Sequence, residues 1–377
     1  MAANAHSQRE PCMAAPPKSC RLYPLLETYG RGSRLPVSIR RGRRRGSRPW
    51  RTARLRGATA WLLLAALAPA QAPPARAKLI AVGDIMLSRG VAVRLRRYGP
   101  DYPLAGVAAY LRGADLVFGN LECTLQAGPP VPRHALRFRA APREAAALAA
   151  AGFTVLSLAN NHSPNYGPAG LRATFAALDA AGLAYVGAGP DRAAARRPVV
   201  IVRRGIRFAF LAYAEGDIVP AGYAAGPRRA GVAFMNLQTL AGDVTRARAA
   251  ADIVIVSMHA GREYQPQPDA AQIAFAHAAI AAGADAVIGH HPHVVQTMEW
   301  YRGKPIFYSL GNFIFDQSWS QPTRLGLAVE LTFTRAGLVA WRPQPVRIRD
   351  AAQPRLLSGP AAAAVLARLG PGGRSAP

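Results

Sequence analysis

Ala286-Val287-Ile288-Gly289-His290-His291-Pro292-His293 decides how the rest of this chain is read. Its first half is a short apolar run closed by glycine, the pattern of a buried strand. Its second half puts three histidines directly beyond that run. In an open α/β sheet the carboxyl ends of the strands open onto one crevice, where ligands bind. Pro292 fixes the backbone between His291 and His293 and so holds two imidazoles apart.

The same grammar recurs upstream. Residues 79–82 run into Gly83-Asp84, residues 116–118 into Gly119-Asn120-Leu121-Glu122, residues 154–158 into Asn160-Asn161-His162, and residues 253–258 into His259. Each site alone has an ordinary reading. An aspartate after a strand is usually a turn residue or a helix cap, Asn160-Asn161 is good turn chemistry, and a single histidine is usually a hydrogen-bonded loop residue. Their coincidence at five strand ends points instead to one metal cluster. Imidazoles, carboxylates and an amide oxygen, with no thiolate, suit Mn, Fe or Zn. A bridging carboxylate would hold two such ions about 3.5–4 Å apart, the spacing of two-metal phosphoesterases.

Between these runs, residues 143–151, 168–181 and 270–282 read as helices. Residues 199–202 and 208–212, joined through Arg204-Gly205, read as a hairpin. Residues 306–310, 327–333 and 338–346 add strands. Strands alternating with helices, then a strand-rich end, give a layered α/β fold over residues 78–350. Residues 351–377 are rich in Pro, Gly and Ala, and are expected to fray apart from a short helix at 361–369. Residues 126–139 and 215–229, rich in Pro, Gly or Arg, are the expected rims of the cleft.

Length and charge set the remaining bounds. The 377 residues are 50% hydrophobic, enough for a sizeable core, and carry a formal charge of +27. Residues 1–57 hold 14 Lys+Arg against 2 Asp+Glu, so +12 of that charge lies there and +15 remains for the rest. With no aromatic interleaving and no reader motif, the charge does not indicate a nucleic-acid partner. It favours a polyanionic one: a polyglutamate, a phosphate or a lipid head group. Cys123 is the one cysteine outside the basic leader and reads as a small buried hydrophobe.

Residues 1–77 read as a leader. An arginine-rich stretch, an apolar run over 58–67 and small residues through Ala72 have the layout of a secretory signal. The run falls short of the ~20 residues that a membrane span needs. Export to the periplasm or the cell exterior is expected, with cleavage after Ala70, Ala72 or Ala77. A retained leader acting as an anchor is the alternative. The basic region is long for a signal, which puts the expected true start downstream, near Leu35 or Val37, and leaves residues 1–34 outside the native product.

Six motifs taken together resemble the CapA family: Gly83-Asp84-Ile85-Met86-Leu87, Gly119-Asn120-Leu121-Glu122, Asn160-Asn161-His162, His259-Ala260-Gly261-Arg262-Glu263-Tyr264, Gly289-His290-His291-Pro292-His293-Val294 and Tyr308-Ser309-Leu310-Gly311-Asn312-Phe313. That family is linked to poly-γ-glutamate capsule biosynthesis and belongs to the metallo-dependent phosphatases. The resemblance implies a calcineurin-like metallophosphoesterase fold, a layered α-β-β-α sandwich, with two divalent metal ions. It implies Asp84, Glu122, Asn161, His259, His291 and His293 as metal ligands, with Glu122 bridging and His162 as general acid. Asn120, Asn160, His290, Glu263, Tyr264 and Asn312 would support or line the cleft. Two departures stand out. Related phosphoesterases have a histidine two positions after the first aspartate, where this chain has Met86. Many relatives have an aspartate three residues after the motif histidine, where it has Asn165, so the orientation of His162 is open. Two functions fit: hydrolysis of a phosphoester-like bond during capsule synthesis, or non-catalytic binding of an anionic polymer within a membrane capsule-synthase assembly.

Overall fold

A computed structural model describes residues 74–374; the leader expectations fall on residues 1–73 and lie outside it. In chain order the main strands are β1 (Ala77–Ile85), β2 (Leu116–Leu121), β3 (Val155–Ser157), β4 (Ala184–Val186), β5 (Val199–Arg203), β6 (Ile206–Ala214), β7 (Ile253–His259), β8 (Ala286–His290), β9 (Met298–Tyr301), β10 (Lys304–Phe307), β11 (Asn312–Ile314), β12 (Leu325–Thr334), β13 (Gly337–Arg349) and β14 (Gln353–Leu356). The longer helices are α1 (Arg89–Tyr98), α2 (Glu144–Ala150), α3 (Gly167–Ala180), α4 (Leu237–Ala250), α5 (Ala270–Ala281) and α6 (Gly359–Leu366).

Two sheets form. The first runs β14-β13-β12-β1-β2-β3-β4, with β11 pairing the end of β1; the second runs β9-β10-β8-β7-β6-β5. In the first sheet β1 to β4 are parallel and β12, β13 and β14 add antiparallel on the other side of β1; in the second β6, β7, β8 and β10 are parallel, with β5 and β9 as hairpin edges. Residue alternation explains why the sheets stack. On β6 and β7, Phe208, Phe210, Ile253 and Ile255 join one core with β1, β2 and β12. Their neighbours Ala209, Leu211, Val254 and Val256 face Leu240 and Val244 of α4 and Phe275 and Ala279 of α5 in a second core. Strand side chains point alternately to opposite faces, so both faces of this sheet must be covered. Phe118 stacks on Phe210 with ring centroids 5.6 Å apart, and Phe208 meets Phe333 edge-on at 5.7 Å, across the interface between the sheets. The layered α-β-β-α sandwich of the calcineurin-like metallophosphoesterases is the observed architecture.

The motif glycines are where backbone crosses backbone. A Cβ on Gly83 would lie 1.9 Å from the carbonyl oxygen of Gly311, and one on Gly289 would lie 1.9 Å from that of Tyr308. Only glycine admits such approaches. They bring the ends of β1 and β8 against the segment that leads into β11.

Three local expectations change. Asp84 and Asn120 lie inside the last residues of β1 and β2 rather than beyond them, as register partners of each other. Helices α1 and α4 have no counterpart in the sequence reading. Past Ala351 the short helix expected at 361–369 forms as α6, starting two residues earlier; the rest, expected to fray, adds strand β14, and Val365 and Leu369 are buried. The indole of Trp300 donates to the carbonyl of Gly372 at 3.0 Å, tying this segment to β9. No helix among the described residues is long and apolar enough to cross a membrane.

Candidate metal centre

The parallel strands end together, so residues far apart in sequence share one buried pocket. Asp84 aligns with Asn120 on one side and Asn312 on the other, while His259 aligns with His290 in the second sheet. Asp84, Glu122, His259, His291 and His293 are all buried. Ligand-capable atoms of Asp84, Glu122 and His293 lie within 4.8 Å of one another, as do those of Glu263, His291 and His293. His259 Nε2 lies 3.0 Å from Asn161 Oδ1, and the His259 and His291 ring centroids are 4.8 Å apart.

Glu122 stands at the centre. Its Oε1 lies 3.9 Å from His259 Nε2 and 3.8 Å from His293 Nε2, and it has no hydrogen-bond partner. His291 Nδ1 is also buried without a partner. Buried polar atoms are normally satisfied, and orphaning one costs about 1–3 kcal/mol. An unpaired carboxylate oxygen flanked by imidazole nitrogens is the donor set that divalent cations take, so these residues fit a metal.

Electrostatics agree with that fit. Burial, then Asp84 and Glu263, push the Glu122 carboxyl well above the usual range. Burial also acts to raise Asp84, but the His293 hydrogen bond and the nearby imidazoles outweigh it, and its pKa is lowered. Burial drives His259 well below the usual histidine value and His291 down to about 3. Neutral imidazole is the form that ligates metal.

Hydrogen bonds fix the tautomers. Asn312 Nδ2 donates to the carbonyl of Thr323 at 3.0 Å, an obligate acceptor, and to Gln317 Oε1 at 3.0 Å. Asn312 Oδ1 therefore faces His293 Nδ1 at 2.9 Å, which must carry the proton, and this leaves Nε2 free towards Glu122. His290 differs from its neighbours. Its Nε2 donates to the carbonyl of Val82 at 3.1 Å and its Nδ1 faces Ser257 Oγ at 3.3 Å, so both nitrogens are engaged and the ring joins the two sheets.

His162 is held by Asn165. Asn165 Oδ1 accepts from the backbone N–H of Phe138 at 2.7 Å, so it also accepts from His162 Nδ1 at 2.9 Å. The amide orients the ring as a carboxylate would, without adding charge. Phe138 stacks on the imidazole at 3.9 Å, and burial lowers its pKa to about 4. Asn160 builds the loop: its Oδ1 accepts from the N–H groups of His162 and Ser163, and its Nδ2 donates to Asn120 Oδ1 at 2.9 Å. The Asn120 amide nitrogen lies 2.9 Å from Asp84 Oδ1 and 3.2 Å from His259 Nδ1. Met86 does not face the cluster with a ligand; its sulfur accepts from the Ser88 N–H at 3.0 Å.

Backbone conformation marks the same place. Arg89, Tyr264, His291 and His293 all have positive φ, from 48° to 99°. Arg204, Arg302, Asp350 and Ala351 share that sign but sit in hairpin turns, where positive φ is the rule. The first four have no such excuse, and strain of this kind gathers at functional sites.

The sequence reading did not single out Arg89. It is buried, ion-paired to Asp316 at 2.5 Å, and lies over the Phe138 ring at 4.5 Å, behind His162. Phe315, beside Asp316, meets His293 edge-on at 4.8 Å. Tyr264 and Trp319, both exposed, meet edge-on at 5.7 Å near His293.

Residues 78–317 match the family model of the bacterial capsule synthesis protein PGA_cap. The capsule biosynthesis protein CapA of Bacillus anthracis is 38% identical over 248 residues, covering 64% of this chain and 60% of that protein. The PGA biosynthesis protein CapA of Bacillus subtilis (strain 168) is 34% identical over 273 residues, covering 72% of this chain and 71% of that protein. The chain thus spans less than two thirds of the first relative's length. Among solved structures, a hypothetical protein from Thermus thermophilus is 18% identical with a TM-score of 0.46, covering 72% of this chain and all of that one.

Proposed function

The chain belongs to the PGA_cap family of bacterial capsule synthesis proteins, and from that premise we propose that it is an exported component of poly-γ-glutamate capsule synthesis that hydrolyses a phosphoester-like bond with two divalent metal ions. Export rests on the signal-like leader. The chemistry rests on one observation above the others: Glu122 Oε1 is buried and unpartnered between the Nε2 atoms of two histidines.

Asp84, Glu122, Asn161, His259, His291 and His293 would hold the ions, with Glu263 near enough to His291 and His293 to join them. Bound there, Mn, Fe or Zn would supply Lewis-acid charge stabilisation and activate water at neutral pH. The chain's own groups do the rest. His162 keeps its Nδ1 proton on Asn165, and its Nε2 would take a proton from water and pass it to the leaving oxygen. Asn312 holds His293 in one tautomer, and the Phe138 and Phe315 rings wall out water from that side.

Elemental analysis of the full chain, with turnover of an aryl phosphodiester measured before and after chelation, tests this reading. His291→Ala should lose metal, while His162→Ala should keep metal and lose turnover. Full chain that purifies without stoichiometric metal and takes none up refutes it. Bound metal without turnover would favour the non-catalytic reading, a polymer-binding part of a capsule-synthase assembly, which the chain's residual positive charge supports.

A further inference from the structure

Beside the metal-ligand cluster lies a cavity of about 410 Å³ whose lining includes Arg94, Arg133, Arg324, Arg347, Arg349 and Asp350. Asp350 is the one acid among its lining residues, and its charge is already engaged. Arg94 binds it with three contacts of 2.9–3.2 Å, and the Tyr102 hydroxyl donates to it at 2.8 Å. Among the described residues, the side chains of Arg133, Arg324, Arg347 and Arg349 make no hydrogen bond and no ion pair. Four guanidinium groups thus share one concavity without a counter-charge, an arrangement that repels itself until anions enter.

The cavity shares a wall with the candidate metal centre. Phe315 and Gln317 line it. Phe315 packs on the His293 ring, and Gln317 accepts from Asn312, the residue that orients His293. Gln317 also donates to the Tyr264 hydroxyl at 3.4 Å. The segment 315–317 thus stands as the shared wall between an anionic chain in the cavity and the ligand cluster.

We infer that this arginine-lined cavity binds successive carboxylates of an anionic chain and holds that chain beside the metal-ligand cluster. The inference rests on the proposed function for the identity of the chain, and it adds the residues that grip it. Guanidinium presents paired donors that match a carboxylate bidentately, so several arginines read a run of carboxylates better than one isolated charge. A small anion would satisfy one or two of these groups; a polymer bearing one carboxylate per residue can satisfy all four.

The test compares two triple variants of the full chain with equal loss of charge. One is Arg324→Ala, Arg347→Ala and Arg349→Ala. The other removes Arg172, Arg197 and Arg302, which are exposed and outside this cavity. Binding of fluorescent poly-γ-glutamate is read by anisotropy, and polyphosphate of matched charge serves as the second probe. Thermal unfolding and metal content check that each variant is folded. The cavity triple should bind poly-γ-glutamate about tenfold or more weakly, and the control triple within about twofold of the parent. Equal losses in both triples mean that overall charge does the work, and overturn the inference. So does a loss confined to polyphosphate, which assigns the cavity to phosphate groups, and so does a parent protein with no saturable binding. Polymer binding that survives His291→Ala leaves the inference standing even if no hydrolysis is found. Metal-dependent turnover without polymer binding removes the inference and leaves the hydrolytic reading.

Discussion

Replacing Asn312 with leucine separates the support of the cluster from its ligands. The side chain touches no proposed ion, yet it spends both ends on the site: Oδ1 accepts from His293 Nδ1 at 2.9 Å, and Nδ2 donates to Gln317 Oε1 and the Thr323 carbonyl at 3.0 Å each. Three buried hydrogen bonds disappear in Asn312→Leu, at about 1 kcal/mol net each, so the fold should lose about 3 kcal/mol. With only Asp84 Oδ2, 3.4 Å away, left to accept it, the Nδ1 proton fixes the His293 tautomer less firmly. Losing an outer partner of a metal-binding histidine lowers affinity about 10–100-fold, or roughly 1.4–2.7 kcal/mol. Asn312→Asp splits these effects. The carboxylate keeps the acceptor for His293 and strengthens it, but turns a negative oxygen towards the Thr323 carbonyl. That variant should lose stability and keep, or gain, metal affinity. Thermal unfolding in chelator reads the first quantity, and metal titration by calorimetry reads the second. If Asn312→Leu binds metal as tightly as the parent, the reasoning that makes His293 a ligand through Nε2 is wrong.

Three further outcomes follow from the same geometry. His290→Leu should unfold at lower temperature by an amount matching about 1–3 kcal/mol for each of the two groups it orphans, the Val82 carbonyl and the Ser257 hydroxyl, yet retain full metal stoichiometry; loss of metal would make His290 a ligand. Gly289→Ala should fail to give soluble, metal-binding protein, because the added Cβ meets the Tyr308 carbonyl at 1.9 Å and overpacking of this kind costs about 3 kcal/mol; expression with unchanged melting temperature would refute it. Glu144 has a side chain only 5% exposed, an unpartnered Oε2, and a pKa raised mainly by burial. A carboxyl raised in the folded state contributes stability below its unfolded pKa and loses it as pH climbs through the folded value, so Glu144→Gln should gain on the parent in urea unfolding as pH climbs above 4.5; a gain that is flat with pH would show that Glu144 stays ionised.

How far the site could be read in the sequence depended on where its forces originate. Ligands at strand ends are local facts: an apolar run, a glycine and a polar residue in succession mark both the strand and its exit, as in Ile288-Gly289-His290. The required glycines belong to the same signal, because each admits a crossing backbone. Arg89 carries no such local mark. An arginine after a strand reads as solvated, and only Asp316, 227 residues away, with the faces of Phe138 and Phe315, makes its burial tolerable. Helix α4 was hidden for another reason. Its buried face is Leu240, Asp243, Val244 and Ala247, a stripe broken by a charged residue and set among alanines and one glycine, so it barely rises above the alanine-rich background. The segment past Ala351 combines proline and glycine in a pattern that usually frays, but its order comes from partners on β13 and β9, through the Gln344–Leu357 and Trp300–Gly372 hydrogen bonds.

Asn165 shows why a departure from a family pattern need not be a loss of geometry. A carboxylate at that place would both orient His162 and raise its affinity for a proton; the amide does only the first. The orientation survives because the N–H of Phe138 is an obligate donor and leaves the amide oxygen no choice of direction. What changes is charge. Asn165→Asp should leave the ring where it is and raise its pKa, since the added negative charge lies 2.9 Å from Nδ1. Histidine NMR titration of the metal-free protein reads that rise directly, and an unshifted His162 in the aspartate variant would show that the Asn165 contact does not hold in solution.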